Sequence, residues 1–523
     1  MTGWLHHLII APILVPLVAG ALLVFIDERS RTLKALISLV ATLLLVGIAL
    51  ALFGAEGGSP GQERAYLLGN WSAPFGIVLV LDGLSALMLL LTSIVAVAAL
   101  IFSLARWHAV GAHFHTMFQL LLMGVNGAFL TGDLFNLFVF FEVMLAASYG
   151  LLLHGSGPLR VKAGMHYIAV NLAAALLFLI GVSLIYGTTG TLNMADLATR
   201  IPEMSADRRM LMQAGAGVLG IAFLIKAGMW PLCFWLPGAY SAASAPAAAL
   251  FAVLTKVGVY AVLRTGLLFA GSAEAAPSTG TPWLAYGGMA TIAFGALGVL
   301  ASQDMGRLAS YSVLVSSGTL LAAIAIGSTP LTGAALYYLV VSTLALSALF
   351  LLVELVERGR GPGADLLAVT AEAFGAGEGE GEEVEVGTAI PAATALLGLS
   401  FAACAIMLAG LPPLAGFVGK FAMLNALLET DPVPAASWML LALLIGSGMA
   451  TIIAMARAGV RRFWASSDGR VPRVRAIELA PIVLLLGLCV TLTVGAGRLI
   501  GYLDEGARAL HAPGGYVDRV LAR

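Results

Sequence analysis

About fourteen runs of mostly apolar residues, each long enough to cross a bilayer, follow one another along the chain. A helix needs about 20 apolar residues to span the hydrocarbon core of a membrane. Charged residues make up 11% of the 523 and hydrophobic residues 60%, whereas a soluble domain carries about 25% charged residues. Too few charges remain to cover a surface that faces water. The sequence therefore predicts an all-α polytopic membrane protein.

These runs define the predicted spans and a single transmembrane domain over 1–523. The spans are placed at 8–26, 33–53, 76–104, 115–132, 134–153, 164–187, 211–236, 244–270, 283–301, 308–327, 331–355, 389–428, 437–457 and 477–502. The seventh and twelfth runs are unusually long, and we expect both to be interrupted. The residues after the last span, 503–523, form a C-terminal tail.

Basic residues are distributed unevenly between the two sides of this predicted bundle. With the N-terminus outside, the cytoplasmic loops hold fifteen Arg and Lys residues and the opposite loops hold nine. Because excess basic charge marks the cytoplasmic side, both termini are predicted to be extracytoplasmic. The Gly- and Glu-rich segment 358–387 is then a flexible acidic cytoplasmic loop. The net charge of −1 gives no reason to expect a nucleic acid partner.

Three of the chain's five lysines, Lys226, Lys256 and Lys420, lie deep within predicted spans. A charged side chain at the bilayer centre costs about 2.5–3.5 kcal/mol on insertion scales. Glu142 is the one acid near the middle of a predicted span, so it cannot neutralise all three lysines. One interpretation is structural ion pairing that ties helices together. The alternative is that at least two lysines lie beside water or spend time neutral.

Lysine is suited to the second interpretation. Burial disfavours its charged form, so a buried lysine can release its proton, whereas arginine stays charged. A nearby carboxylate restores the charged form, so a change in the distance between Glu142 and Lys226 can load or unload a proton. We interpret Glu142, Lys226, Lys256 and Lys420 as a line of proton-translocating groups. His166, which opens the sixth span, is a candidate to pass protons to Glu142 or Lys226.

Two proline-containing segments interrupt apolar runs close to buried lysines. Proline removes a backbone hydrogen bond and clashes with the preceding turn, so it breaks a helix. Such breaks are tolerated at membrane depth only inside protein or beside water, and paired broken helices point to a transport site. The predicted breaks are at Gly228, Pro231, Pro237, Pro412 and Pro413.

The two breaks lie about five spans apart, in the seventh and twelfth spans. Tandem repeats with an odd number of spans are inserted upside-down relative to each other. The sequence therefore predicts two inverted repeats of five helices, at 115–270 and 283–457.

The sequence offers no set of residues for covalent catalysis or metal binding. Cys233, Cys404 and Cys489 stand singly in apolar runs, where a cysteine acts as a small hydrophobic residue. No nucleophile–base set, phosphate-binding loop or metal-ligand cluster is evident, so we expect no cofactor, no metal and no enzyme activity.

Six strings in the chain resemble the antiporter-like membrane subunits shared by respiratory complex I and multisubunit cation/proton antiporters. They are 132–149 (GDLFNLFVFFEVMLAASY), 186–196 (YGTTGTLNMAD), 226–232 (KAGMWPL), 234–240 (FWLPGAY), 254–261 (LTKVGVYA) and 411–420 (LPPLAGFVGK). The resemblance covers most of the chain. Lys420 and the string at 133–149 make it most similar to the D subunits of bacterial Mrp antiporters.

This resemblance implies a fold of fourteen helices in which the seventh and twelfth are broken. It implies that Glu142 and Lys226 form the coupling pair, that Lys256 is the central relay, and that Lys420 leads toward an exit or a neighbouring subunit. It also implies a seven-subunit assembly in the bacterial plasma membrane that exchanges cytoplasmic Na⁺, or another monovalent cation, for external protons.

One departure from the family concerns the tenth and eleventh helices, where family members commonly carry histidine and lysine. Here 308–353 contains neither, and the nearest equivalents are Ser316, Ser342 and Leu346. The second half-channel is therefore expected either to depend on water and serine hydroxyls or not to conduct.

Three functions remain open at this stage. The chain is a proton-translocating subunit of a cation/proton antiporter, a proton-pumping subunit of a complex I-like or hydrogenase complex, or a non-conducting scaffold. The quoted strings favour the first. The scaffold predicts that Glu142 and Lys256 tolerate neutral replacement.

Overall fold

The computed structural model describes residues 6–56, 63–270, 281–358, 392–429, 432–464 and 474–521. These residues are mainly helical, and two strands, β1 (Arg64–Leu67) and β2 (Val78–Leu81), form an antiparallel hairpin. The predicted loop at 358–387 lies outside the described residues apart from Arg358.

The helices fall into two groups on either side of residues 271–280. The first group is α1 (Ala11–Phe25), α2 (Arg31–Glu56), α3 (Gly83–Leu104), α4 (Phe114–Leu130), α5 (Leu134–Leu153), α6 (Pro158–Thr189), α7 (Met194–Glu203), α8 (Ala206–Ala227), α9 (Trp235–Ala242) and α10 (Ala245–Ala270). The second group is α11 (Thr281–Ala301), α12 (Met305–Ile326), α13 (Thr329–Glu357), α14 (Ala392–Ala409), α15 (Ala415–Leu428), α16 (Ala435–Gly459), α17 (Ala476–Val494), α18 (Ala496–His511) and α19 (Gly514–Leu521).

The prediction of about fourteen spans is confirmed by the described helices. Twelve of them are long and apolar enough to cross a membrane. The shorter apolar helices α1 and α4 match the first and fourth predicted spans, and α15 completes the interrupted twelfth span. The twelve long helices and these two additional spans make fourteen.

Two predicted span boundaries are wrong. The span at 76–104 begins too early, because Val78–Leu81 forms β2 and α3 starts only at Gly83. Asp82 starts the helix: its carboxylate accepts a 2.8 Å bond from the Ser85 N–H, and its own N–H donates to Ser85 Oγ at 2.9 Å. A short apolar run such as 78–81 fits a strand or a helix equally well by periodicity.

The span at 477–502 ends too late. Helix α17 stops at Val494, and Gly495 separates it from α18, which buries one side and exposes Arg498, Glu505 and Arg508. The predicted tail at 503–523 therefore begins inside α18. Apolar content alone did not reveal this change from a membrane helix to an amphipathic one.

Both long runs are interrupted next to a glycine in the left-handed region. Helix α8 ends before Gly228 (φ 73°), and residues 228–234 are not helical. Helix α14 ends before Gly410 (φ 77°), and residues 410–414 are not helical. Glycine suits these positions because it adopts positive φ without steric cost.

The prolines near the two interruptions have different positions. Pro231 lies in the first interruption, and Pro412 and Pro413 lie in the second. Pro237 instead lies in the first turn of α9, where its missing N–H would be unpaired anyway. Pro237 therefore begins a helix and does not break one.

Helices α10 and α13 form the centre of the bundle, because 94% of the apolar window of each is buried inside the protein. Helix α12 packs beside both of them. The residues on these three helices are consequently the most shielded from lipid and water.

Charged residues gather at the two ends of the bundle. One end, here called the terminal face, holds the β1–β2 hairpin, the bridge between Asp133 and Asn193, and the C-terminal helices α18 and α19. At the other end Trp107 Nε1 donates to Glu354, and Arg358 pairs with Glu354 and Glu478. Asp82, Glu354 and Glu478 thus lie at helix ends.

Candidate proton-transfer site

The first helix break holds Lys226 in a buried position with its backbone groups satisfied by neighbouring helices. Lys226 is in the last turn of α8 and only 8% exposed. Ser317 of α12 donates to the Ala227 carbonyl oxygen, and the Trp230 N–H donates to Thr291 Oγ1 of α11 at 2.8 Å. These two bonds satisfy one carbonyl group and one N–H group that the interruption leaves without a helical partner.

Glu142 approaches Lys226 from α5 without forming an ion pair. The two side chains are close enough to interact electrostatically. No distance between the Lys226 nitrogen and a Glu142 carboxylate oxygen is within 4.0 Å. Lys226 Nζ lies 5.8 Å from the centre of the Phe141 ring, which belongs to the same helix as Glu142. A small movement of α5 or α8 would therefore change the coupling between these charges.

Helix α10, which carries Lys256, makes a close contact with the broken end of α8. A Cβ atom at Gly258 of α10 would lie 2.5 Å from the Ala227 nitrogen, so a side chain there cannot fit without displacing the backbone. Lys256 is two residues away on the same helix and is fully buried. Gly258 thus lets α10, the helix that carries Lys256, pack against the end of α8, while Lys256 lies on roughly the opposite side of α10 from Gly258.

Lys256 is bonded to hydroxyl groups. Its Nζ donates to Ser316 Oγ at 2.7 Å, and Ser316 Oγ donates to Ser342 Oγ at 3.0 Å. The Ser342 hydroxyl also lies 3.3 Å from the Leu339 carbonyl oxygen. Because a hydroxyl both donates and accepts, this arrangement is a continuous hydrogen-bonded line from α10 through α12 to α13.

Tyr338 lies beside this line and was missed by the sequence analysis. Its phenol group lies near the side chains of Ser316 and Thr319 of α12. A Cβ atom at Gly419 would lie 3.3 Å from the Tyr338 Cα, so α13 packs closely against the residue before Lys420. One feature of the sequence could have identified it: Tyr338 lies four residues before Ser342, which places both residues on the same side of a helix.

Lys420 is held by the second helix break. Its Nζ donates to the carbonyl oxygens of Leu408 at 3.1 Å and of Ala409 at 3.0 Å, which end α14. The C-terminal end of a helix carries partial negative charge and unpaired carbonyl groups, both of which favour an ammonium group. A Cβ atom at Gly410 would overlap Lys420 Cδ, so glycine is needed for this approach.

His166 is placed apart from this region. It is exposed on α6, and its Nδ1 lies 2.9 Å from the Lys162 carbonyl oxygen of its own helix. The structure therefore brings Lys256, Ser316 and Ser342 together, places Lys226 at the first break and Lys420 at the second, and leaves His166 on the outer surface.

The described part of the chain offers no evident metal site. No group of three or more His, Cys, Asp or Glu residues is positioned there to hold a metal ion. Cys233, Cys404 and Cys489 are buried free cysteines. The chemistry of the buried site is therefore that of amines, hydroxyls and one carboxyl group.

Known proteins resemble this chain in both sequence and architecture. A family profile described as NADH:quinone oxidoreductase/Mrp antiporter, TM, matches residues 131–450. The D subunit of a probable K(+)/H(+) antiporter from Rhizobium meliloti is 59% identical over 532 residues, covering 100% of this chain and 99% of that protein. The D subunit of a Na(+)/H(+) antiporter from Alkalihalophilus pseudofirmus is 34% identical over 525 residues, covering 99% of this chain and 100% of that protein.

A solved assembly shows the same fold. A chain in the structure of the Mrp complex from a Dietzia species aligns over 100% of both chains with a TM-score of 0.82 and 26% identity. The range matched by the profile, 131–450, includes both helix breaks and the three buried lysines. The chain belongs to the NADH:quinone oxidoreductase/Mrp antiporter family of membrane subunits.

Proposed function

We propose that this chain is the proton-translocating D-type component of a multisubunit monovalent cation/proton antiporter in the bacterial plasma membrane. The observation that carries the proposal is the hydrogen-bonded line from Lys256 through Ser316 to Ser342, which lies beside the end of α8 that holds Lys226. An amine and hydroxyls in this order can pass a proton through the protein interior.

The first step in this proposal is loading. A proton reaches Lys226 while Glu142 is close enough to favour the ammonium form, and separation of the two charges then favours its release. The gap between Glu142 and Lys226 supports this role, because a tight ion pair would hold the proton in place.

The second step is transfer to Lys256 and onward through the serine hydroxyls. Each hydroxyl gives up one proton as it accepts another, so no charged side chain is needed between Ser316 and Ser342. Tyr338 offers a further hydroxyl in the direction of Lys420, which we propose as the exit group. His166 contributes no contact to this line, and its relay role has no support from the geometry.

K⁺ is the first cation to test and Na⁺ the second. The relative that is 59% identical is named as part of a probable K(+)/H(+) antiporter, and the one that is 34% identical is named as part of a Na(+)/H(+) antiporter. We further propose that the termini are extracytoplasmic, that 115–270 and 283–457 are inverted repeats, and that the chain moves ions and does not catalyse covalent chemistry.

The test is cation/proton exchange in everted vesicles from a host that lacks its own antiporters and expresses the complete set of subunits. Glu142→Gln and Lys256→Ala are compared with the native chain, and native gels report assembly. Glu505→Gln and Lys162→Ala make the same chemical changes at exposed positions and serve as controls.

Loss of exchange in Glu142→Gln and Lys256→Ala, with assembly and both controls intact, is the expected result. Native exchange in both variants would assign the buried charges a structural role and favour the scaffold. Proton pumping that requires quinone reduction and no alkali cation would favour the complex I-like alternative.

A further inference from the structure

A small cavity at the terminal face encloses charged groups that the proposed relay does not use. Its volume is about 40 Å³, and it lies between the start of α3, the end of α10, and the C-terminal helices α18 and α19. A water molecule needs about 10–15 Å³ on this measure, so the cavity has room for a few waters. The polar residues that line it are Glu63, Asp82, Arg264, Tyr502 and Tyr516.

Glu63 is the unusual member of this set. It is 7% exposed, and its Oε2 atom is buried and makes no hydrogen bond within the described structure. Its carboxylate lies against Gly515, where an added Cβ atom would be 3.0 Å from Oε2. A buried carboxylate oxygen without a partner is costly when it is ionised and far less so when it is protonated.

The neighbouring charges do not cancel that of Glu63. Arg264 Nη1 lies 2.5 Å from Asp82 Oδ2, and both side chains are buried, so these two form a neutral pair. The positive charge of Arg519, on the C-terminal helix α19, favours the ionised form of Glu63. Burial raises the pKa of Glu63 and the charge of Asp82 adds to this effect, against the lowering influence of a hydrogen bond from the backbone of Glu63 itself and of the charges of Arg264 and Arg519.

One side of α10 connects the central lysine with this cavity. Lys256, Tyr260 and Arg264 are spaced four residues apart, which places them on successive turns of one helix face. Arg264 Nη2 donates to Tyr260 Oη at 3.1 Å, and the Tyr260 hydroxyl donates to the Phe129 carbonyl oxygen at 2.7 Å. These three residues therefore form a row along α10 that runs from the buried relay to the terminal face.

We propose that Glu63 binds and releases a proton in this cavity and forms the terminal-face end of the proton path. A hydronium ion in the cavity gives its proton to Oε2, leaving water and a neutral carboxylic acid, and the reverse step returns the proton. Tyr260 and Arg264 line the route between this acid and Lys256. The inference rests on the proposed function, because it assigns an end to the same relay.

The experiment is a titration of exchange against lumenal pH in everted vesicles, where the terminal face is expected to line the lumen. Glu63→Gln removes the proton-binding group, Glu63→Asp keeps it in a shorter side chain, and Glu505→Gln is the matched control on the exposed side of α18. We expect exchange in Glu63→Gln to fall about tenfold or more and to lose its dependence on lumenal pH. Glu505→Gln should retain the native rate and profile.

The outcomes separate this inference from the proposed function. Native rate and native pH profile in Glu63→Gln would overturn the terminal-face site, while loss of exchange in Lys256→Ala would leave the relay standing. Native exchange in both variants would overturn the proposed function itself. If Glu63→Gln does not assemble, Glu63→Asp decides: a shifted pH midpoint supports the site, and an unchanged midpoint overturns it.

Discussion

Lys256 donates a 2.7 Å hydrogen bond to Ser316, and the residue that follows Ser316 donates to the carbonyl oxygen beside Lys226. Two adjacent serines of α12 therefore contact the surroundings of two buried lysines on different helices. Because Ser316 and Ser317 are held by the same turn, movement of α12 alters both contacts together. The surroundings of Lys226 and Lys256 are therefore connected through the backbone of α12 as well as through hydrogen bonds.

Ser316→Ala tests the hydrogen-bonded line. Removing the hydroxyl deprives Lys256 of its acceptor and separates it from Ser342. A hydrogen bond to a charged group is worth about 1.5–3 kcal/mol, so exchange should fall about tenfold or more. Vesicle exchange assays measure the change. Ser312→Ala is the control, because the Ser312 hydroxyl bonds to Leu308 in its own helix, and equal loss in both variants would argue against a specific line.

Gly258→Ala tests the close contact between α10 and the end of α8. The added methyl group meets backbone atoms of Ala227, so we expect a loss of about 1–3 kcal/mol in stability. Thermal unfolding of the purified complex in detergent should show a lower midpoint. Gly266→Ala on the same helix has open space around it and should unfold like the native protein. A native midpoint for Gly258→Ala would contradict the proximity of the two helices.

Asp82→Asn tests the buried pair at the terminal face. It leaves Arg264 buried without its counter-charge, a change that costs about 3–5 kcal/mol in known cases. The double variant with Arg264→Gln should recover part of the lost thermal stability, because it removes the uncompensated charge. If the single and double variants unfold at the same temperature, the ion pair between Asp82 at the start of α3 and Arg264 of α10 does not contribute to stability as argued.

The pair also predicts a pH dependence of stability. Burial opposes ionisation of Asp82, but Arg264 and the bonds from Ser85 outweigh it and lower the pKa of Asp82 below its ordinary value. A group with a lowered pKa contributes stability above its unfolded value, about 3.9, and loses it as pH falls through the folded value. The native chain should therefore lose stability in that acid range more steeply than Asp82→Asn. Parallel curves for the two proteins would contradict this prediction.

Lys420→Arg separates charge from proton release at the second break. Arginine keeps a positive charge for the carbonyl groups of Leu408 and Ala409, so assembly should persist. Because arginine does not release its proton, exchange should fall about tenfold or more if Lys420 is the exit group. Native gels and vesicle exchange give the two measurements. Native exchange in Lys420→Arg would assign Lys420 a structural role only.

The sequence predicted the fold, and it singled out the charged candidates because buried charge is costly enough to stand out in an apolar run. Glu142 and the three lysines were identified on that basis alone. The contacts that organise them were not, since Ser317, Thr291 and Gly258 act through helices distant in sequence. Val78–Leu81 was assigned to a helix because apolar content does not distinguish a short strand.

Glu63 shows a second limit of reading the sequence. It lies just before β1, among polar residues that read as an ordinary surface loop. Its burial depends on the C-terminal helix α19 returning to cover it, with Gly515 against the carboxylate. A pattern in the local sequence cannot reveal a cover that comes from the other end of the chain.

The acceptors of the Lys420 ammonium are main-chain atoms, and this has a consequence for genetics. Replacing the side chain of Leu408 or Ala409 leaves the carbonyl oxygens in place, so a screen of such replacements would pass over this contact. Replacements at Gly410, Pro412 or Pro413 would instead move the end of α14 and so disturb the contact between Lys420 and the carbonyl oxygens. In a mutational map of the protein, the acceptors for this lysine would be recorded at glycine and proline positions that carry no functional group.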